Sequence, residues 1–375
     1  MKIAFVSDVA YPWHVGGIEI VNYSEASELK KANGIDFFTL QWPGMDAEFS
    51  HGGIRYHAFH KVDKDRLYAN GRRSIREALA FSLGLYRLFG YDFDVVVSNQ
   101  FPVLHLPVLY LYCRLKRRRL VLEVVEVWDK KYWISYLGGF LGRVGSFCYS
   151  LTMKGASHYI ANSTSTEERL LNSGIRKDMI TVFTPLIDDG LVGMARRSAK
   201  GREKKIVFSG RLIKEKRMDK WLKVVKEVNG KVRIKAVIIG SGPEKENIIR
   251  MADEMGLSKV VSVKDFLGTK KELYKEIRSA AAFLLMSDRE GLGAVAIESI
   301  ALGTPVFLPD YSPVPEEVRE MCVVAEEKAL PGRIAALIRS GKASAFIRHE
   351  ENLDAFRISM VPKVYAKIFS EIGAD

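Results

Sequence analysis

Short apolar runs, each followed by a turn and an amphipathic stretch, recur along this chain. That rhythm admits little besides parallel sheets covered by helices. Lys2-Ile3-Ala4-Phe5-Val6 reads as a buried strand opening into a loop that ends at Gly16-Gly17. A helix follows from about Ile18 and stops at Asn33-Gly34, and Ile35–Leu40 returns as a second strand. Asp94–Ser98, Leu120–Val125, His158–Ala161 and Ile180–Phe183 continue the series. After His158–Ala161, Thr164 with Glu167 or Ser165 with Glu168 has capping-box spacing. Between Asp188 and Lys205 the periodicity dissolves into a basic stretch (Arg196, Arg197, Lys200, Arg202, Lys204, Lys205), which reads as a domain boundary. The rhythm then restarts at Ile206–Ser209 and runs through Val237–Ile239, Val260–Val263, Ala281–Met286 and Val306–Leu308. The expectation is two α/β domains, each a doubly wound Rossmann-like sheet, over residues 1–187 and 188–354. A final helix over 355–375 would pack back on the first domain, with Pro362 kinking it or starting a new segment.

Composition narrows the function. The chain has 375 residues, enough for two cores, and no run approaches the length of a spanning helix. The opening residues do not read as a signal peptide, so a cytoplasmic location is expected. Cys113, Cys148 and Cys322 are too scattered for a disulfide framework, and no helix-borne histidine pair suggests a metal site. The formal charge of +12 points to an anionic partner. The sharpest cluster, Arg114, Lys116, Arg117, Arg118 and Arg119, follows an apolar run and could meet an anionic membrane surface. Aromatic interleaving and nucleic-acid motifs are missing around it, so no nucleic-acid partner is expected.

Four segments carry chemistry. Gly16-Gly17 at a helix start permits close approach of a phosphate or sugar. Gly210-Arg211, with Lys216 five residues on from Arg211, places two cations on the loop after a strand, where they could neutralise two phosphates. Gly240-Ser241-Gly242 is a second glycine turn, lacking the third glycine of a dinucleotide fingerprint. Finally, Glu290 and Glu298 bracket Gly291-Leu292-Gly293 at a strand-to-helix turn, a natural anion site flanked by carboxylates that could reach hydroxyls.

The Glu290/Glu298 pair, followed by Ala301-Leu302-Gly303-Thr304-Pro305-Val306, resembles the signature of retaining GT-B glycosyltransferases of family 4. Leu67–Arg76, Asp92-Phe93-Asp94 and Glu126–Trp133 resemble archaeal members. The resemblance implies two Rossmann-like domains facing a central cleft, with a nucleotide-sugar donor bound by the second domain and a glycan or lipid-linked acceptor by the first. It implies that Gly210, Arg211 and Lys216 bind the donor diphosphate, with Glu290 beside the donor sugar. Glu298 would hold the ribose, and Gly16, Gly17, Gly240, Gly242, Leu267, Gly291, Leu292 and Gly293 would line the donor. Neither metal nor cofactor is expected.

Two departures stand out. Val125 occupies the place where the family carries a histidine, which leaves Glu126 as the best local polar substitute and His105 as a poorer one. Arg217 stands where a glycine is usual. A nucleotide-sugar epimerase and a degenerate, non-catalytic binder are the alternatives that the residues leave open.

Overall fold

A computed structural model describes every residue except 15, 63–67, 70–71, 199–200, 347–348 and 375. Lys200 of the basic stretch, and Leu67, Asn70 and Gly71 of the first domain, therefore lie outside the described residues. The chain divides into two compact units, Met1–Pro185 with Ile358–Asp375, and Leu186–Arg357.

Unit 1 is built on an eight-stranded sheet. In chain order its strands are β1 (Lys2–Val6), β2 (Gly34–Gln41), β3 (Glu48–His51), β4 (Ile54–Lys61), β5 (Val95–Asn99), β6 (Arg119–Val124), β7 (His158–Ala161) and β8 (Ile180–Val182). They lie in the order β8-β7-β6-β5-β1-β2-β4-β3, parallel throughout except for the β3–β4 hairpin. Ile3, Ala4, Val95, Val96, Val121 and Leu122 are fully buried, as strands covered on both faces require. The covering helices include α1 (Gly17–Leu29), α2 (Ile75–Gly84), α3 (Leu106–Lys116), α4 (Lys130–Leu137), α5 (Gly139–Thr152) and α6 (Thr164–Asn172). The cap of α6 is Ser163, whose hydroxyl accepts from the Thr166 amide, not Thr164 or Ser165. Asn162-Ser163 supplies polar side chains one step earlier than the capping-box spacing suggests, and the helix starts there.

Unit 2 holds a six-stranded parallel sheet: β9 (Glu203–Ser209), β10 (Lys235–Ile239), β11 (Val261–Lys264), β12 (Ala280–Leu284), β13 (Val306–Pro309) and β14 (Val323–Ala325). The order is β11-β10-β9-β12-β13-β14, so the chain reverses direction across the sheet between β9 and β12. Its helices include α7 (Asp189–Ser198), α8 (Met218–Lys231), α9 (Lys245–Glu254), α10 (Lys270–Ser279), α11 (Ala294–Ala301) and α12 (Leu330–Ser340). The expected irregular linker after residue 188 is thus largely the helix α7. Asp188 caps it by accepting from the Leu191 amide, and Val192 and Ala195 are buried. Gly190 and Gly193 lower helix propensity enough to obscure it in the sequence. The division between the units falls slightly ahead of the expected boundary, after Pro185, because Leu186 and Ile187 both donate to the Phe356 carbonyl inside unit 2.

The terminal helix, α13, spans Val361–Glu371 and does not begin at 355, because Glu350–Phe356 and Ile358–Met360 are 3-10 turns. Pro362 stands in its first turn, where a missing N–H costs nothing. The helix belongs to unit 1 and buries Val361, Tyr365, Ile368 and Phe369 in that core.

Tyr365 ends in a polar knot. Its hydroxyl lies 3.0 Å from Glu25 Oε2 and 3.1 Å from Glu123 Oε1, and Asn99 Nδ2 donates to Glu123 Oε2 at 2.6 Å. One hydroxyl hydrogen cannot serve two carboxylates at once. Burial first, and then the Glu123 charge, push the Glu25 carboxyl well above the ordinary carboxylate range. A carboxyl held protonated by the fold contributes its full stability below the ordinary carboxylate pKa. That contribution is lost as pH rises through the raised value. Glu25→Gln keeps the shape and removes the titration, so its unfolding midpoint should fall less than that of the wild type as pH is raised. Thermal unfolding at a series of pH values checks this, and a variant with the wild-type slope would refute it.

Candidate active site

The strands of unit 2 are parallel, so the loops at their C-terminal ends share one edge of the sheet. The loops after β9, β10, β11 and β12 carry Gly210–Lys216, Gly240–Gly242, Leu267 and Ser287–Gly293. Backbone hydrogen bonds stitch them together. The Gly210 amide donates to Ile239, the Leu212 amide to Ser241, the Gly240 amide to Lys264 and the Asp288 amide to Glu215, each at 2.9–3.0 Å. Both turn glycines are sterically required. Gly240 has φ +154 and a Cβ there would lie 1.9 Å from the Gly210 carbonyl oxygen. At Gly242 (φ +156) it would lie 2.3 Å from that of Leu212.

At the reversal between β9 and β12 two of the expected catalytic side chains, Lys216 and Glu290, meet. Lys216 Nζ is 2.5 Å from Glu290 Oε1, which also accepts from Ser287 Oγ at 2.8 Å. Both partners are largely buried, with 16% and 12% of their side-chain surfaces exposed, so their mutual neutralisation matters more than at a surface. Arg211 is different. It is exposed, and its side chain has no hydrogen bond or ion pair among the described residues.

Arg217 adopts φ +48, which explains why a glycine suits that position. Its guanidinium pays for the left-handed backbone through two 3.0 Å bonds to Asp219 and one of 2.7 Å to Asp288. Those bonds raise its pKa further above the usual arginine value.

Glu298 lies in α11, whose N-terminus follows Gly293 in a left-handed conformation (φ +79). The glutamate is buried, yet Lys270 Nζ stands 2.8 Å and Tyr274 Oη 3.0 Å from its Oε1. Burial and the Glu298 carboxylate together raise the Tyr274 pKa, which keeps its hydroxyl a donor. Lys270 and Tyr274, one helical turn apart on α10, escaped the sequence reading. So did Ser287. The only signal was the Lys-to-Tyr spacing of four, which puts both on one helix face. Leu292 is buried and Gly291 exposed at the turn. Leu267 lines a pocket of about 750 Å³ with Arg202, Lys205, Glu272 and Glu276. Much of that lining is already engaged. Lys205 bonds Glu276 and Ser279, and Arg202 donates to Thr304 and to the carbonyl oxygens of Arg278 and Ala280.

The remaining expected residues belong to unit 1. Gly16 caps α1, and a Cβ there would collide with the Glu19 carboxylate, which is bonded to His14 Nδ1 at 2.6 Å. Gly17 has open space around it. The Val125 amide donates to Gln100 Oε1 at 3.1 Å. Glu126 is half-buried and lines a pocket of about 700 Å³ with Trp128, Tyr132, Ser135 and Arg169. His105 is fully buried against Ser98 Oγ, so it faces no pocket. Among the described residues, no group of three or more His, Cys, Asp or Glu is placed to hold a metal ion, and no helix is long and apolar enough to cross a membrane.

Residues 194–348 match the family described as Glycosyl transferases group 1, and residues 16–185 match the Glycosyl transferase 4-like domain. The chain is 32% identical over 102 residues to the lipopolysaccharide core biosynthesis glycosyltransferase LpsD of Rhizobium meliloti, covering 27% of this chain and 28% of that protein. It is 30% identical over 119 residues to an uncharacterized glycosyltransferase of Methanocaldococcus jannaschii, covering 31% and 30%. The chain thus spans under a third of the length of these two relatives. Among solved structures, Anabaena HepE in complex with UDP and glucose superposes with a TM-score of 0.66 at 15% identity, over 99% of both chains. Sucrose-phosphate synthase from Thermosynechococcus elongatus does so with 0.69 at 16%, over 98% of this chain and 99% of that one. These structural neighbours are GT-B glycosyltransferases, and this chain has the same two Rossmann-like domains.

Proposed function

We propose, on the premise that this chain carries a glycosyl transferases group 1 domain and a glycosyl transferase 4-like domain, that it transfers a sugar from a nucleotide diphosphate sugar with retention of configuration, as a family 4 enzyme. The observation that carries this reading is the Lys216–Glu290 pair at the strand reversal of unit 2. In open parallel sheets, that crevice at the carboxyl ends of the strands is where ligands bind.

Lys216 and Arg211 stabilise charge developing on the leaving diphosphate, assisted by amides at the N-terminus of α11. Lys216 is held in place by Glu290, whereas Arg211 stands unengaged, able to fold onto phosphate oxygens in bidentate fashion. Glu290, fixed by Ser287, orients the donor sugar. Glu298 presents Oε2 to the ribose hydroxyls while Lys270 and Tyr274 hold Oε1. The charge developing on the diphosphate is met by side chains, so the scheme uses neither metal nor cofactor. The acceptor, a glycan or a lipid-linked sugar, is assigned to unit 1. There the pocket walled by Trp128 and Tyr132 offers apolar faces for sugar rings and Glu126 a hydrogen-bond acceptor.

HepE is described in complex with UDP, which supports a nucleotide-bearing donor of this kind. The test is thermal unfolding against UDP, GDP, ADP and CMP. One nucleoside diphosphate should raise the midpoint with the logarithm of its concentration, the stabilisation reaching about 2.7 kcal/mol at a hundredfold excess over its Kd. Glu298→Ala should abolish that rise. No rise with any of them, or a rise unchanged in Glu298→Ala, would remove the assignment.

A further inference from the structure

We infer that α5 and the exposed side of α3 form a docking face for an anionic lipid bilayer. The helix α5 already has a buried face. A Cβ on Gly142 would lie 2.5 Å from the Ile134 Cα and the Trp133 carbonyl oxygen, so α5 is pressed backbone to backbone against α4, with Tyr149 buried beneath it. The opposite face is nevertheless apolar. Phe140 (78% exposed), Leu141, Val144, Phe147 (64% exposed) and Leu151 follow one another at helical spacing. No core claims them. On the helix α3, Leu111 and Leu115 are also exposed, at 53% and 65%. Tyr110 of α3 donates its hydroxyl to the Thr152 carbonyl at the end of α5, so the two helices are neighbours.

Charge selects the occupant. From Lys130 to Thr166 the chain contains no aspartate or glutamate, and its charged residues are Lys130, Lys131, Arg143 and Lys154. The helix α3 and the residues up to Arg119 likewise lack acids. The basic cluster there is partly neutralised by residues before α3: Lys116 pairs with Asp92 at 3.2 Å and Arg118 with Asp94 at 3.6 Å. Arg114, Arg117 and Arg119 have no ion pair among the described residues, and Arg143 and Lys154 have none either. A second copy on this face would bring like charges together around an apolar centre. Anionic headgroups around acyl chains match both features. At 14 residues α5 is too short to span a bilayer and suits a helix lying in its plane.

Only the purpose of this surface, bringing the chain to a lipid-borne acceptor, rests on the transferase reading. The binding itself is measured without donor. The full chain is sedimented with vesicles of phosphatidylcholine alone and of phosphatidylcholine with phosphatidylglycerol. It should bind the anionic vesicles only. The double variant Phe140→Ser, Phe147→Ser should bind at least about tenfold more weakly with an unchanged unfolding midpoint, since both rings are exposed. Arg143→Glu, which leaves the rings in place, should weaken binding in the same direction. No binding by the wild type, equal binding to neutral vesicles, or binding unaffected by these substitutions would overturn the proposal. So would self-association that the serine variant abolishes without any vesicle binding, which would give the face to a second copy. Nucleotide-dependent stabilisation of the same samples separates loss of the docking face from failure of the donor site.

Discussion

Arg211→Ala is expected to lower sugar transfer by about a hundredfold or more, the usual cost of removing one preorganised stabiliser of developing charge. The effect should fall on turnover and spare the fold. Arg211 is exposed and its side chain makes no hydrogen bond or ion pair among the described residues, so its removal exposes no cavity and strands no partner. Stability should change by no more than about 0.5 kcal/mol, as for an ordinary surface substitution. Lys216→Ala makes the useful contrast, because it leaves the largely buried Glu290 carboxylate with Ser287 as its remaining side-chain donor. Nucleotide diphosphate release from the donor, followed beside thermal unfolding, reads both quantities. Wild-type turnover in Arg211→Ala would exclude that residue from the chemistry.

Gly240→Ala is expected to have the largest effect on stability. The new methyl would stand 1.9 Å from the Gly210 carbonyl oxygen, and φ +154 is a backbone conformation that side chains rarely adopt. Strain of ~1–3 kcal/mol for the backbone and ~1–3 kcal/mol for the overlap together suggest a loss of several kcal/mol. Gly210 can relieve the contact only by moving, and its amide is bonded to Ile239 while the next loop residue carries Arg211. Donor affinity should therefore fall with stability. Gly230→Ala provides the control. It sits in α8 with nothing within 4 Å of its Cβ position, and gaining ~0.5–1 kcal/mol of helix preference should leave it as stable as the wild type or more so. Urea unfolding of both variants decides the matter, and equal midpoints would contradict the steric argument.

The strands were legible because a parallel strand buried on both faces must be written in continuous apolar residues, as in Val95-Val96-Val97 or Ala281-Ala282-Phe283-Leu284. The four loops of the candidate site were legible for a related reason, since turns at strand ends need glycine or charge at fixed places. Pairings across the sheet were not. Lys216 and Glu290 are 74 positions apart, and nothing local to either announces the other. Glu298 likewise stood out as a carboxylate, but the lysine and tyrosine that hold it come from α10, ahead of β12. Arg217 shows both sides of this. Its departure from glycine was visible at once, whereas the two aspartates that stabilise its left-handed backbone could be found only in three dimensions. Helix boundaries failed where local propensity was weak, as in α7 with its two glycines.

The route of the chain through its two units also orders their manufacture. Unit 2 is one continuous segment whose ends are joined to each other, Ile187 by a bridge to Arg357, and Asp189 by an ion pair with the same arginine. It can be finished as soon as residue 357 has left the ribosome. Unit 1, although begun first, lacks Val361, Tyr365, Ile368 and Phe369 of its core until later. During synthesis the earlier segment therefore waits, with Glu25 and Glu123 lacking the tyrosine that bonds them both, while the later one folds. The domain completed last is the one whose first residues were made first.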